Sequence, residues 1–358
     1  MPKCARTDGC LRELLRLAIP CLQEAQRQCP RTGRGAKPQI PDWLIALLIM
    51  TAVLKRKKSK LSQFRFVNDP ANRQIITELT GCHRFPSQST FFRRYRRAHQ
   101  LFRRAIQLQG QQAIREGVCD PQVVAMDKSL IAARGPLWHK KDRRVGRIPP
   151  GLRGVDQESA WGYSEYDGWV QGYSLELVVT ATQGSTVLPL LASADTASAR
   201  ETQTCQEKLA HLPPQVVYVL VDSGYDSNQV AEQVEYEENQ RPTGRRFLCP
   251  ENPRRSNPES AAQPPSPRDQ HQRRRLQRRK FFHSRKGQRL YARRHQSVEP
   301  FLDWFKGLFE LHDHVWHRGL DNNRTQLLAA VFVYQLLVRY NHRLGNFNGR
   351  VRWIMDSL

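Results

Sequence analysis

Val216-Val-Tyr-Val-Leu-Val-Asp222-Ser-Gly-Tyr-Asp-Ser227 is an unbroken apolar run closed by a carboxylate and a turn. A run without polar alternation reads as a strand covered on both faces of a sheet. Val123-Val-Ala-Met-Asp127 repeats the pattern in shorter form. Each strand delivers an acid at its end, Asp127 and Asp222, where a helix-covered sheet is open to a substrate.

The surrounding sequence supplies the rest of the sheet. Residues 169–180 alternate in part, Gln183-Gly184-Ser185 supplies a turn, and residues 186–191 read as the returning strand. Helices follow at 198–212, ended by Pro213-Pro214, and at 227–240, with a short strand at 246–249. Strand, hairpin, helix, strand, helix, strand is an α/β order that builds a mixed sheet of five strands flanked by helices. Up to about Gly117 the pattern is instead all-α. Residues 10–28 and 43–54 carry apolar residues at helical spacing, a short helix covers 74–79, and a longer one runs from Ser89 to Ile114. Arg93, Arg94, Arg96 and Arg97 decorate that last helix. Short helix, turn and basic helix fit a helix-turn-helix, and equally an ordinary basic surface helix.

The expected organisation is a helical DNA-binding region at 1–118, a catalytic domain at 119–344 and a tail at 345–358. Within the catalytic domain, residues 250–272 hold six prolines among polar residues, so a flexible insertion is expected over 250–280. Residues 327–338 read as a core helix, too short and too interrupted by Gln335 to span a bilayer.

Lys and Arg number 57 against 33 Asp and Glu, a net charge of +24. Such an excess calls for a polyanion, and nucleic acid is the first candidate. No apolar signal segment or lipidation motif is legible, so a cytoplasmic, nucleoid-associated protein without a membrane partner is expected. Eight dispersed cysteines form no Cys-x-x-Cys pair, which argues against a zinc ribbon. His312, His314 and His317 read as a polar turn. Residues 273–294 contain 11 Lys or Arg, among them Arg278, Arg279 and Lys280, with aromatics between them. That density favours contact with DNA phosphates.

This basic tract leads into a third acid, Glu299. Pro300 belongs in a first helical turn, so the helix carrying Glu299 is expected to start near Ser297. Phe301, Trp304, Phe305 and Leu308 would face the sheet, and Lys306 would share the Glu299 side. Three carboxylates from separate segments suit a pair of Mg²⁺ ions, hard cations that take oxygen ligands and together activate a nucleophile and a leaving oxygen.

Four segments carry a family resemblance: Ala125-Met-Asp-Lys-Ser129, residues 156–162 with 169–175, Val221-Asp-Ser-Gly-Tyr-Asp-Ser227, and Tyr291-Ala-Arg-Arg-His-Gln-Ser-Val-Glu299 continuing to Lys306. Together they resemble a DDE-type insertion-sequence transposase with a ribonuclease-H-like catalytic domain. The resemblance implies cleavage at transposon ends and attack of the freed 3′-hydroxyl on target DNA, with Mg²⁺ (or Mn²⁺ in its place) and a homodimer on double-stranded DNA. It implies that Tyr291, Arg294 or His295, and Lys306 hold the end DNA. The family signature leaves three residues between Arg and Glu; here Arg294 leaves four, and the three-residue spacing falls on His295. Ser174 stands where the family often has Lys. Two alternatives are a nuclease of the same fold without joining activity, and a non-catalytic DNA-binding derivative.

Overall fold

The computed structural model describes residues 7–29, 38–252 and 270–358. Six helices come first: α1 (Thr7–Gln28), α2 (Asp42–Leu54), α3 (Lys60–Asn68), α4 (Pro70–Thr80), α5 (Gln88–Tyr95) and α6 (Ala98–Arg115). Every residue of α2 from Leu44 to Leu54 is buried, as an all-apolar helix requires. The helix α3 was not legible, because its capping box joins two serines rather than a serine and a glutamate. Ser59 accepts from the Ser62 amide, and the Ser62 hydroxyl accepts in return. Asp69 caps α4, Pro70 fills its first turn, and Gly81 ends it at φ +67°. The single helix expected over 89–114 is two, α5 and α6, broken at Arg96 and Arg97.

The sheet contains β1 (Val123–Ala132), β2 (Ala160–Ser164), β3 (Gly168–Thr180), β4 (Pro189–Thr196), β5 (Tyr218–Leu220) and β6 (Arg246–Leu248). Its order is β2-β3-β1-β5-β6, with β4 also paired to β3. Strands β2, β3 and β4 run antiparallel to their partners, whereas β1, β5 and β6 are mutually parallel. The mixed sheet flanked by helices is as expected, with six strands in place of five. The additional strand is β2, whose Ala-Trp-Gly-Tyr-Ser sequence is too short and glycine-broken to show a period. Helices α7 (Lys140–Arg144), α8 (Glu201–Leu209) and α9 (Asn228–Glu235) lie in the connections. After them come α10 (Gln270–His283), α11 (Arg285–Leu308), α12 (Leu320–Arg343) and α13 (Arg352–Ser357). Most of the proline-rich stretch lies outside the described residues, but from Gln270 onward the expected flexible insertion is helix α10.

One helix joins the layers. Residues 327–338 of α12 are buried all round. Gln335 donates to the carbonyls of Ile106 on α6 (3.0 Å) and Pro189 on β4 (2.7 Å), and Arg339 binds Glu116 (2.7 Å) and Gln109 (2.8 Å). Met355 and Ile354 on α13 are buried too. Among the described residues no helix is long and apolar enough to cross a membrane.

Glycines let strands approach where no side chain fits. A Cβ on Gly172 would lie 2.0 Å from the Ile131 carbonyl oxygen, a backbone atom of the paired strand. Gly172→Ala is therefore expected to destabilise the fold by about 2 kcal/mol or more, read as a lowered urea midpoint at unchanged slope.

Candidate active site

Register brings the first two acids together. Val123 pairs with Tyr218 and Ala125 with Leu220 in the parallel β1–β5 ladder. Two residues further on, the same offset sets Asp127 level with Asp222. Asp127 is not at a strand end as expected: β1 continues to Ala132, paired on its other side with β3, where Asp127 faces Leu177. What ends is its neighbour, since β5 stops at Leu220. The acids therefore lie in the opening beyond the carboxyl end of β5, the usual ligand position in an open α/β sheet.

The third acid arrives on α11, which packs across β1. This helix starts at Arg285 rather than near Ser297, because Ser284 caps it by accepting from the Gly287 amide. Pro300 is consequently interior, and its missing N–H leaves the Gln296 carbonyl without its helical donor. Leu290, Val298, Phe301, Phe305 and Leu308 supply the buried face.

Arg294 stands at the centre of the three acids. Its Nη2 lies 2.9 Å from Asp127 Oδ2 and 3.7 Å from Asp222 Oδ2, and its Nη1 lies 2.5 Å from Glu299 Oε1. Arg294 is buried, 5% exposed, and among the described residues its Nε has no hydrogen-bond partner. Burial disfavours its charge, but the three carboxylates outweigh that and raise its pKa. Asp127 is more buried than the other two acids. Burial pushes its carboxyl up to about 7, with Arg294 pulling down and Asp222 pushing up. One Asp127 oxygen accepts from the Lys128 amide (2.8 Å), and Asp222 accepts from the Gly224 amide (2.8 Å). His295 Nδ1 lies 3.0 Å from Glu299 Oε1.

Behind Asp222 is a buried charge network that the sequence did not disclose. Glu176 on β3 accepts from the Tyr225 hydroxyl (2.7 Å) and pairs with Lys208 on α8 (2.6 Å). Lys208 also donates to Ser193 and to the Thr204 carbonyl, both at 2.6 Å. All three N–H donors of the ammonium are thereby satisfied, which a buried pair needs. Tyr225 closes the 3₁₀ turn Ser223–Tyr225 that follows Asp222, so the network fixes the turn carrying that acid. Gly224 allows it: a Cβ there would meet the Glu201 carboxylate at 1.9 Å. The available signal was a lone Glu inside an apolar strand, which must find a partner.

A family model described as transposase DDE domain matches residues 119–336. The chain belongs to this family. No curated protein matches the chain. A solved structure, "Cryo-EM structure of piggyBac transposase synaptic complex with hairpin DNA", is similar at a TM-score of 0.40 and 10% identity, covering 99% of this chain and 79% of that one.

The other residues expected at the transposase site divide into two groups. Tyr291, half-buried, meets His295 edge-on with ring centroids 5.7 Å apart, and burial pushes its hydroxyl up to about 12. Lys306 is half-buried, its pKa lowered by burial and drawn back by Asp167 and Asp303. Arg93, Arg97 and Lys280 are exposed. Three cations expected to face DNA instead turn inward. Arg94 binds Asp42 (2.9 Å) and the Ile40 carbonyl (2.6 Å), Arg278 binds Glu235 (3.3 Å) and Asn228 (3.0 Å), and Arg279 pairs with Glu251. Each meets an acid or amide from an element packed against its own helix, so charge density in sequence overstated the free charge.

Among the described residues no three His, Cys, Asp or Glu side chains form a ready metal cluster, because the guanidinium lies between the acids. The donor set still fits a hard divalent cation, since three carboxylates already surround one cationic position. Because the folded-state Asp127 carboxyl is raised above its unfolded value, the stability it lends is complete in acid and lost as pH rises through about 7. Asp127→Asn removes that loss. In chelator, its stability relative to wild type should rise between about pH 4 and about pH 7 in urea titrations.

Proposed function

We propose that the chain is a transposase that cleaves DNA at transposon ends and joins the freed 3′-hydroxyl to target DNA, with Asp127, Asp222 and Glu299 as its catalytic acids. The observation that carries this is the convergence of three acids, from β1, the turn after β5 and α11, on one cationic position. Asp127, central and rigidly held in β1, would together with Asp222 and Glu299 hold the divalent cations, two Mg²⁺ ions with Mn²⁺ as the substitute. Bound there, the metals supply activation of a water or 3′-hydroxyl and neutralisation of the leaving oxygen.

The chain's own groups supply position and charge. Arg294 holds the acids together and cancels their mutual repulsion, which reaches several kcal/mol for buried like charges. The Glu176–Lys208–Tyr225 network keeps the Asp222 turn in place. Tyr291, His295 and Lys306 lie along α11 on the approach to Glu299, where backbone phosphates of double-stranded end DNA would lie. Arg93, Arg97 and Lys280 extend the basic surface outward. Two ends must be cut and joined together, so a homodimer on DNA is part of the proposal.

The test uses the inverted-repeat DNA flanking the gene as substrate, with Mg²⁺ and a target plasmid. Cleaved ends and joined products are expected from the wild type. Asp127→Asn, Asp222→Asn and Glu299→Gln should each lower both by about a thousandfold or more at unchanged DNA affinity. Cleavage without joined product would identify a nuclease, and undiminished cleavage by Asp127→Asn would overturn the site assignment.

A further inference from the structure

Exposed apolar side chains are concentrated in one region. Of the twelve large hydrophobic residues that are exposed among those described, six lie between residues 137 and 169. Three are rings at the tip of the β2–β3 hairpin: Tyr163 is 52% exposed, Tyr166 97% and Trp169 59%. Tyr163 and Trp169 are a cross-strand pair whose rings meet edge-on at 5.4 Å. Such a cluster of exposed aromatic rings marks a surface fit for a partner.

The hairpin is rigidly based. A Cβ on Gly162 would lie 2.4 Å from the Ala197 carbonyl oxygen, so the strand packs there without room for a side chain. The tip is also oriented toward the catalytic side. Leu177 faces Asp127 across the β1–β3 ladder, and Trp169 is 177 − 169 = 8 residues away on the same strand, an even step that keeps it on the same face. Eight residues of strand span about 26 Å, so the tip is remote from the acids.

One cation of helix α7 lies against these rings, while the turn between them carries Glu165 and Asp167. Lys140 Nζ sits 2.8 Å from the Trp169 ring centroid and 5.8 Å from that of Trp161. Lys140, Lys141, Arg143 and Arg144 have no carboxylate partner among the described residues, unlike Arg147, which pairs with Asp142. The charge argues against a second copy as occupant, since a chain of net charge +24 would bring its own basic patch against another. It argues for DNA. Aromatic rings gain from DNA only where base faces are bare, and a duplex hides them in its own stack.

We propose that Tyr163, Tyr166 and Trp169, with Lys140 and the basic helix α7, form a stacking platform for an unpaired DNA strand running away from the catalytic centre. The inference rests on the transposase reading. The platform takes bases without regard to sequence and holds the strand by its phosphates.

Fluorescence anisotropy in chelator, with a labelled single-stranded oligonucleotide and the matching blunt duplex, tests it independently of cleavage. Tyr166→Ala/Trp169→Ala should weaken single-strand binding about tenfold or more, leaving duplex binding and the salt slope unchanged. Trp169→Tyr should restore most of the loss. Tyr166→Ala alone, at a nearly fully exposed position, repeats the test if the double variant misfolds. Equal loss for both probes, or none, would overturn the platform, as would a wild-type dimer by light scattering that the variant abolishes. A failed cleavage assay with intact single-strand binding would sink the catalytic reading and leave the platform standing.

Discussion

The site depends on the register between β1 and β5. Side chains alternate along a strand, so a slip of one residue would send Asp127 to the opposite face and leave Asp222 beside an apolar neighbour. Nothing in α11 could compensate, because Glu299 and Arg294 reach the acids only from the covered face. The register is held by the apolar pairs Val123 with Tyr218, Val124 with Val219 and Ala125 with Leu220, and by β6 on the far side of β5. The chemistry thus rests on hydrophobic packing a few ångströms away.

Arg294 and Asp127 show how three acids can share one opening. Three carboxylates in one opening repel, and the most buried of them resists ionisation. A guanidinium with a planar fork of donors can meet several carboxylates at once, which an ammonium cannot do. Its unpartnered Nε marks the arrangement as a compromise between charge balance and full hydrogen bonding.

Much of this was legible in the sequence, and the limits have physical causes. The apolar runs ending in Asp127 and Asp222 disclosed the central strands because burial on both faces leaves an unmistakable composition. Glu299 followed from the apolar stripe after it, although Pro300 misled about where its helix begins: a distant cap at Ser284 outweighed a local proline preference. The strand β2 and the helix α3 were missed because each is short, the one broken by glycine and the other capped by a pair of serines. Arg94, Arg278 and Arg279 were read as free cations because sequence gives charge but not the acid that meets it. The network of Glu176, Lys208 and Tyr225 joins residues up to 49 positions apart, a pairing no local pattern contains.

Helix α12 has a further consequence, for biosynthesis. Its residues complete the core of helices made more than two hundred positions earlier: Gln335 reaches Ile106, and Thr325 binds the Tyr95 carbonyl. A nascent chain cannot close its helical layer until this segment has left the ribosome. Until then α2, apolar on every side, must be shielded by transient contacts. Burial of this one helix therefore ties folding of the first helices to the synthesis of residues 320–343, and makes the growing chain a natural client for chaperones.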